Sequence, residues 1–274
     1  MDVTFVVVPQ WQGSGSSRAM RLVDGAEAIR GDLPSASTIA IEVPLEAGDS
    51  QATKVHRLSS LALVRDRFTE ALASTQGAVI TIGGDCGVEL AAVARALDSD
   101  VALIWMDAHP DMNTPDSSES GAFNGMVLRT LLGDGAAGLV PSVTIDPSRV
   151  VLVGARAFDA AEEQYVSQHG IRVIDAEALS GSSLIEWVEA TGASSVYIHI
   201  DLDVLDPIDI VGLSNPEPFG VSALDLIAAI RELVARFELR GAGVTEFAPA
   251  TPGDAVEDMP TILRIVGALT SSTV

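Results

Sequence analysis

Basic residues, cysteine and long apolar runs are all scarce in this chain of 274 residues. Its 16 lysines and arginines stand against 38 aspartates and glutamates, which gives a formal net charge of -22. A chain without a basic patch does not neutralise phosphates, so nucleic acids and anionic membranes are excluded as partners. The single cysteine excludes an internal disulfide, and no run approaches the roughly 20 apolar residues of a membrane span. Because Met1–Thr4 shows no secretory signal, we expect a cytoplasmic protein.

Strand-like and helix-like segments alternate along the chain, and no linker divides them. At 274 residues and 47% hydrophobic content, this pattern favours one domain spanning residues 1–274 over two small ones. Strands are predicted at Val3–Val8, Thr38–Val43, Ala78–Ile82, Val101–Met106, Val150–Val153, Ile171–Ile174, Val196–Ile200 and Gly241–Thr245. Helices are predicted at Ser59–Ser74, Val88–Leu97, Ala160–Gln168, Leu184–Ala190, Ala223–Phe237 and Met259–Leu269. The alternation predicts an α/β fold with a mostly parallel eight-stranded sheet and helices on both faces.

The predicted strand Val101–Met106 leads directly into two carboxylates and an imidazole. Asp107, His109 and Asp111 are spaced two residues apart, so an extended or gently coiled backbone would turn all three to one side. All three are metal ligands by residue type. The alternative is an ordinary polar loop, which is common on so acidic a chain.

Two further strand ends carry possible ligands, which favours the metal interpretation. Asp201 and Asp203 follow the strand Val196–Ile200, and Cys86 follows the glycine turn after Ala78–Ile82. In open parallel sheets, ligands bind outside the carboxyl ends of the strands, so these groups should converge on one site. Cys86 itself is open to two interpretations, as a metal ligand or as a buried structural cysteine.

Three motifs resemble those of the ureohydrolases, the family of arginase and agmatinase, in both their order and their spacing. They are Gly83-Gly84-Asp85, Asp107-Ala108-His109-x-Asp111 and Asp201-x-Asp203-x-x-Asp206-Pro207. The likeness extends from Gly13 to Glu246 and implies a three-layer α/β/α fold with two manganese ions per chain. It further implies that Asp107 and Asp201 bridge both ions, that Cys86 and Asp111 complete the first, and that His109 and Asp203 complete the second. Two such ions activate a water molecule for hydrolysis.

The resemblance also implies a pocket for a small amino acid. Four polar residues fall where arginases hold their substrate: Asn113, Ser118 and Ser120 for the α-carboxylate, and Asp159 for the α-amino group. Since agmatine has no carboxylate, we expect an amino acid rather than a decarboxylated amine. Glu246 ends the last strand, where a carboxylate can pair bidentately with a guanidinium group. We therefore expect Glu246, Asp107 and Asp201 to be the catalytic residues.

Two departures from arginases bear on the substrate. Cys86 and Asn124 stand where arginases carry histidines, the second of which acts as the proton shuttle. A thiolate is softer than imidazole, which leaves zinc open as the metal, and Asn124 carries no proton at neutral pH. We expect hydrolysis of Nω-hydroxy-L-arginine to L-ornithine and hydroxyurea, as in the branch of the family that serves antibiotic biosynthesis. The alternatives are L-arginine, agmatine or another guanidino compound, and, more remotely, a non-catalytic relict that only binds metal.

Two other polar residues near the motifs have less specific interpretations. His199 lies two residues before Asp201 and deeper in the same strand, which favours a partner behind the ligands or a core histidine over a proton shuttle. Asp206 either caps the turn before Pro207 or orients the ligands. Neither interpretation of Asp206 is favoured.

The chain is expected to be a monomer. Arginase trimers rely on a C-terminal tail, and the 274-residue chain continues past Glu246 for little more than one predicted helix. Light scattering at micromolar concentration should give a mass near 28.5 kDa. A mass near three or six times that value would contradict the prediction.

Overall fold

The central feature of the fold is one sheet of eight strands. The computed structural model describes residues 3–97 and 100–271, and in that part every neighbouring pair of strands is parallel. The strands are β1 (Val3–Val8), β2 (Thr38–Ala40), β3 (Ala78–Gly83), β4 (Val101–Met106), β5 (Val150–Val153), β6 (Arg172–Ile174), β7 (Ser195–Asp201) and β8 (Glu238–Thr245). Their order across the sheet is β2-β1-β3-β8-β7-β4-β5-β6. The predicted α/β fold with its eight-stranded sheet is confirmed.

Helices cover both faces of this sheet. They are α1 (Arg21–Gly31), α2 (Leu58–Leu72), α3 (Glu89–Ala96), α4 (Val127–Leu131), α5 (Ala160–His169), α6 (Gly181–Thr191), α7 (Ala223–Arg236) and α8 (Pro252–Leu269). Successive strand residues point to opposite faces, so Val7 and Ile104 pack against α1, α6, α7 and α8, while Val6 and Leu103 pack against α2 to α5. Across the described residues, no helix has the length and apolar character needed to cross a membrane.

The structure corrects several predicted boundaries. The second strand ends at Ala40 rather than Val43, the last begins at Glu238 rather than Gly241, and α1 and α4 were not predicted. The last helix begins at Pro252, because the Thr251 hydroxyl caps it and proline suits a first helical position. Capping contacts of this kind override the apolar periodicity from which the helix was predicted.

The strand order brings the predicted site together. Strands β3, β8, β7 and β4 are consecutive neighbours in the middle of the sheet. Because they are parallel, their carboxyl ends lie at the same edge. Each is followed by predicted site residues: Cys86 after β3, Glu246 after β8, Asp203 after β7 and Asp107 after β4.

Candidate metal centre

Contacts from β4 and from the loop after it hold both carboxylate oxygens of Asp107. The backbone N–H of His109 donates to Asp107 Oδ1 over 2.7 Å, and the indole Nε1 of Trp105 donates to Oδ2 over 3.2 Å. Further along the loop, Asp111 has a left-handed backbone with a φ of 52°. Strained backbone of this kind in residues other than glycine is concentrated at functional sites.

The end of β7 and the turn after it place Asp201 and Asp203 beside the first loop. Asp201 Oδ1 accepts a hydrogen bond of 2.8 Å from the Asp203 N–H and so caps the short turn Leu202–Val204. Asp203 Oδ1 accepts a hydrogen bond of 3.0 Å from the Ala108 N–H, and its Oδ2 lies 3.0 Å from His109 Nδ1. Asp203 therefore ties the two loops together.

Cys86 enters the site from the tight turn after β3. Its Sγ lies 3.1 Å from Asp201 Oδ2 and 3.3 Å from Thr245 Oγ1. The turn requires glycine at Gly84, because a Cβ there would lie 1.8 Å from the carbonyl oxygen of Gln10. The thiol thus faces the carboxylates, although the side chain is also buried against the core.

Glu246 follows β8 and completes this edge of the sheet. Its backbone is left-handed, with a φ of 64°, and its N–H donates to the Gly84 carbonyl over 2.8 Å. Glu246 Oε1 accepts a hydrogen bond of 3.4 Å from Asn124 Nδ2, whereas Oε2 is buried without a hydrogen-bond partner among the described residues. Leaving a buried oxygen unpaired is costly, so Oε2 suits a cationic or hydrogen-bond-donating ligand.

The possible metal ligands form overlapping clusters in which the donor atoms lie within 4.8 Å of one another. The clusters are Cys86 with Asp107, Asp111 and His199; Asp107 with His109 and Asp203; and Cys86 with Asp201 and Glu246. Because Asp107 and Cys86 each belong to two clusters, the arrangement fits more than one cation held by shared donors. In addition, Asp111 Oδ2 is buried without a hydrogen-bond partner in the described structure, as expected of an oxygen that a cation would contact.

Crowding and burial perturb the protonation of these groups. Burial, and next the neighbouring Asp107, raise the pKa of Asp111 well above its usual value. Burial and then Asp203 do the same to the pKa of Asp201, and burial followed by Asp201 raises the pKa of the Cys86 thiol. Burial also opposes ionisation of Asp107, yet the adjacent histidines hold its pKa below the usual range. Divalent cations would relieve this repulsion and displace the protons.

A cavity of about 470 Å³, which suits a small amino acid, is lined by six of the clustered residues: Cys86, His109, Asp111, Asp201, Asp203 and Glu246. Its lining includes every predicted substrate residue: Asn113, Ser118, Ser120, Asp159 and Glu246. Asn113 Nδ2 donates to Asp159 Oδ2 over 2.8 Å, and the Oγ atoms of Ser118 and Ser120 are 3.4 Å apart. The predicted substrate residues therefore share one cavity with the predicted ligands.

The structure gives Asp206 and His199 different surroundings. Asp206 accepts hydrogen bonds from the N–H groups of Ile208 and Gly220, at 3.0 and 3.1 Å, and these contacts favour its interpretation as a turn cap. His199 is fully buried, and its Nε2 lies 3.8 Å from Asp107 Oδ2. Its position fits the predicted partner behind the ligands.

Three acidic residues near the site were missed in the sequence: Glu89, Glu119 and Glu162. Glu162 accepts hydrogen bonds of 2.9 Å from the N–H groups of Met112 and Asp159, and so joins the ligand loop to α5. The capping-box spacing of Asp159 and Glu162 was a usable signal. Glu119 lines the cavity, and Glu89 contacts His199, but neither position follows from local pattern.

A family model and several known proteins are similar to this chain. The model of the arginase family matches residues 16–259. The chain belongs to the arginase family. Arginase of Entamoeba histolytica is 26% identical to it over 90% of each chain, and arginase of Bacillus subtilis is 34% identical over 52% of each. The crystal structure of the Entamoeba histolytica arginase in complex with L-ornithine has the same fold, with a TM-score of 0.86 over 97% of each chain at 24% identity.

Membership of the arginase family establishes the general activity. The protein is a hydrolase that acts on amidino or guanidino groups. Enzymes of this family depend on a dinuclear metal site, and the clusters of carboxylate, imidazole and thiol groups supply suitable donors.

Substitution of Cys86 tests its proposed role as a metal ligand. Cys86→His should still bind two ions, because an imidazole replaces the thiolate as donor, whereas Cys86→Ala should bind manganese at least about tenfold more weakly. Elemental analysis after dialysis, together with calorimetric titration, measures both effects. If Cys86→Ala binds two ions as tightly as the wild type, the thiol is not a ligand.

Proposed function

We propose that this arginase-family hydrolase acts on Nω-hydroxy-L-arginine and releases L-ornithine and hydroxyurea. The observation that carries the proposal is Asn124, whose Nδ2 lies 3.4 Å from Glu246 Oε1 where arginases place a histidine. An amide does not accept and return a proton at neutral pH. Of the residues described around the cavity, His109 is the one histidine, and it is engaged by Asp107 and Asp203. These surroundings suit a substrate that needs little help from a proton carrier.

Asparagine in place of histidine removes a proton carrier and leaves more room in the cavity, and a hydroxylated guanidino group suits both changes. An N-hydroxyguanidine is less basic than a guanidine, so it binds closer to its neutral form. Asparagine is also smaller than histidine, which leaves room for the added hydroxyl beside Glu246. An N-hydroxyguanidine therefore depends less on protein acid and base groups than L-arginine does.

The proposed metal site uses the six ligand positions of the family, with Cys86 in the place of a histidine. Asp107 and Asp201 would contact both ions, Cys86 and Asp111 the first, and His109 and Asp203 the second. When bound, the ions supply an activated water molecule for attack on the guanidino carbon. The oxygen-rich donor set suits manganese, and zinc is the alternative because of the thiolate.

The remaining residues bind and orient the substrate. Glu246 pairs with the guanidino group and aligns its carbon, while Asn113, Ser118, Ser120 and Asp159 hold the amino-acid end. Water adds across the C=N bond of the guanidino group, with its oxygen on the carbon and one proton on the imino nitrogen. The bond from that carbon to the side-chain nitrogen then breaks, and the remaining proton of the water passes to the departing amine. Support for an amino-acid product comes from the L-ornithine in the similar Entamoeba histolytica structure.

The substrate assignment predicts a clear difference in catalytic efficiency. The value of kcat/KM for Nω-hydroxy-L-arginine should exceed that for L-arginine by at least about tenfold, which corresponds to about 1.4 kcal/mol. Steady-state assays of the manganese-loaded enzyme on both amino acids and on agmatine measure it. Equal or greater efficiency on L-arginine would favour the second candidate, an arginase with unusual ligands. The sequence similarity to known arginases is consistent with that candidate.

The variant Asn124→His should raise turnover of L-arginine relative to hydroxyarginine, because it restores a proton carrier beside Glu246. The matched control is Asn215→His, which adds an imidazole elsewhere in the same cavity. The ratio of the two kcat/KM values is expected to change in the first variant and to stay near the wild-type ratio in the second. An equal change in both variants would argue against a specific role for position 124.

A further inference from the structure

A row of buried residues crosses the sheet directly behind the metal loops. The strand register places Thr81 of β3 opposite Gly243 of β8, Gly243 opposite His199 of β7, and His199 opposite Trp105 of β4. The side chains of Thr81, His199 and Trp105 are all fully buried. Residues paired in this way share a face of the sheet, and here it is the face covered by α3.

Glu89 at the start of α3 packs onto this row. It is fully buried, its Oε1 lies 3.6 Å from His199 Nδ1, and its Oε2 accepts a hydrogen bond of 2.6 Å from the Tyr197 hydroxyl. The glycine at Gly243 makes room for it, because a Cβ there would lie 1.6 Å from Glu89 Oε1. Gly243 and Glu89, which are distant in sequence, therefore fit together so that the Glu89 carboxylate lies against the His199 imidazole.

The other edge of the same imidazole faces a proposed metal ligand. His199 Nε2 lies 3.8 Å from Asp107 Oδ2, the oxygen that also accepts the Trp105 indole N–H. The rings of Trp105 and His199 are stacked, with their centroids 3.7 Å apart. Within the described structure, both ring nitrogens of His199 and Glu89 Oε1 are buried without a hydrogen-bond partner. Burying these groups is costly, and apolar residues of the same volume would avoid that cost.

We infer that Glu89 and His199 are positioning residues that, with Trp105, orient the Asp107 carboxylate for both ions and thereby set the affinity for manganese. The inference rests on the proposed metal site. Carboxylates and histidines behind a metal ligand fix its orientation, and their loss typically weakens metal binding about 10–100-fold. Because Asp107 would contact both ions, loosening it should weaken the binding of both ions rather than one.

Manganese titration of the metal-free protein tests the inference independently of activity. Free manganese is followed by its electron paramagnetic resonance signal, which is lost on binding. The variants Glu89→Gln and His199→Gln should keep two ions per chain, with both affinities reduced about 10–100-fold. The matched control is Thr81→Val, which alters a buried hydroxyl in the same row and should leave both affinities unchanged. Thermal unfolding of each variant checks that it is folded.

Each outcome decides a different question. If both variants fold and bind manganese as tightly as the wild type, Glu89 and His199 have only a packing role and the inference is overturned. If His199→Gln binds a single ion, His199 is itself a ligand, which also overturns it. If His199→Gln does not fold, the manganese affinities of Glu89→Gln test the inference, since that variant keeps the size of the side chain. Failure of the wild type to bind two ions would instead contradict the proposed metal site, and the inference with it.

Discussion

Adding manganese to a free concentration of about a hundred times its Kd is expected to raise the Tm of the metal-free protein at pH 8 by more than about 10 °C. Each ion at a hundred times its Kd stabilises the folded state by about 2.7 kcal/mol, so two ions contribute about 5.4 kcal/mol. A large domain gains roughly 2–4 °C per kcal/mol. The effect should be large because the ions bind among carboxylates that are buried and repel one another. Differential scanning calorimetry with and without manganese measures the shift.

The size of this shift should depend on pH. Burial and then Asp85 raise the pKa of Glu246 from 4.5 to about 8, and burial and neighbouring carboxylates raise those of Asp111 and Asp201. An acid with a raised pKa in the folded state stabilises the fold while it is protonated, and this stabilisation is lost as the pH rises towards the raised pKa. The Tm of the metal-free protein should therefore fall between pH 5 and pH 8, and the gain from manganese should grow.

A pair of aspartate variants, one at the end of β7 and one in the segment that follows it, provides the control. Asp201→Asn removes a proposed ligand of both ions and should abolish most of the gain in Tm. Asp206→Asn alters a carboxylate that caps the following turn through Ile208 and Gly220. It should lower the Tm with and without manganese by similar amounts. If manganese raises the Tm of Asp201→Asn as much as that of the wild type, the result would contradict the proposed ligand set.

Glu246→Gln is expected to lower kcat/KM by about 10³-fold, equivalent to about 4 kcal/mol, while the protein still binds two ions. Glu246 Oε2 is buried and unpaired among the described residues, and the carboxylate is the group proposed to pair with the guanidino group. The amide keeps the shape but loses the charge, so the substrate is held less firmly and less well aligned. Steady-state kinetics and elemental analysis of the same preparation measure both quantities.

The matched control for this variant is Glu119→Gln, which changes an exposed carboxylate that lines the same cavity. Its kcat/KM should stay within about threefold of the wild type, since exposed charges contribute little. A loss of one ion in Glu246→Gln would show that Glu246 is a metal ligand rather than a substrate contact. Similar losses in both variants would mean that the overall charge of the cavity, and not the position of Glu246, controls binding.

Much of the fold could be predicted because its signals are local. The strand Val101–Met106 was predicted with its observed boundaries, since a short apolar run flanked by polar residues is a strong signal for a buried parallel strand. The start of α8 could not be predicted from apolar periodicity, because it depends on the cap at Thr251. Asp111, the third predicted ligand of the loop after β4, was predicted by its type and spacing, but its left-handed backbone was not.

By itself, the sequence determined which chemical groups this protein places after its strands, because residue type and strand-end position are local properties. Only the tertiary structure decided which groups meet. The order β3-β8-β7-β4 brings Cys86 within 3.1 Å of Asp201 Oδ2, and the register of β7 with β8 sets His199 opposite Gly243, where Glu89 from α3 fits. Strand order and register depend on packing between distant segments, and a shift of one residue would turn His199 to the other face. No local pattern around Glu89 or His199 contains that information.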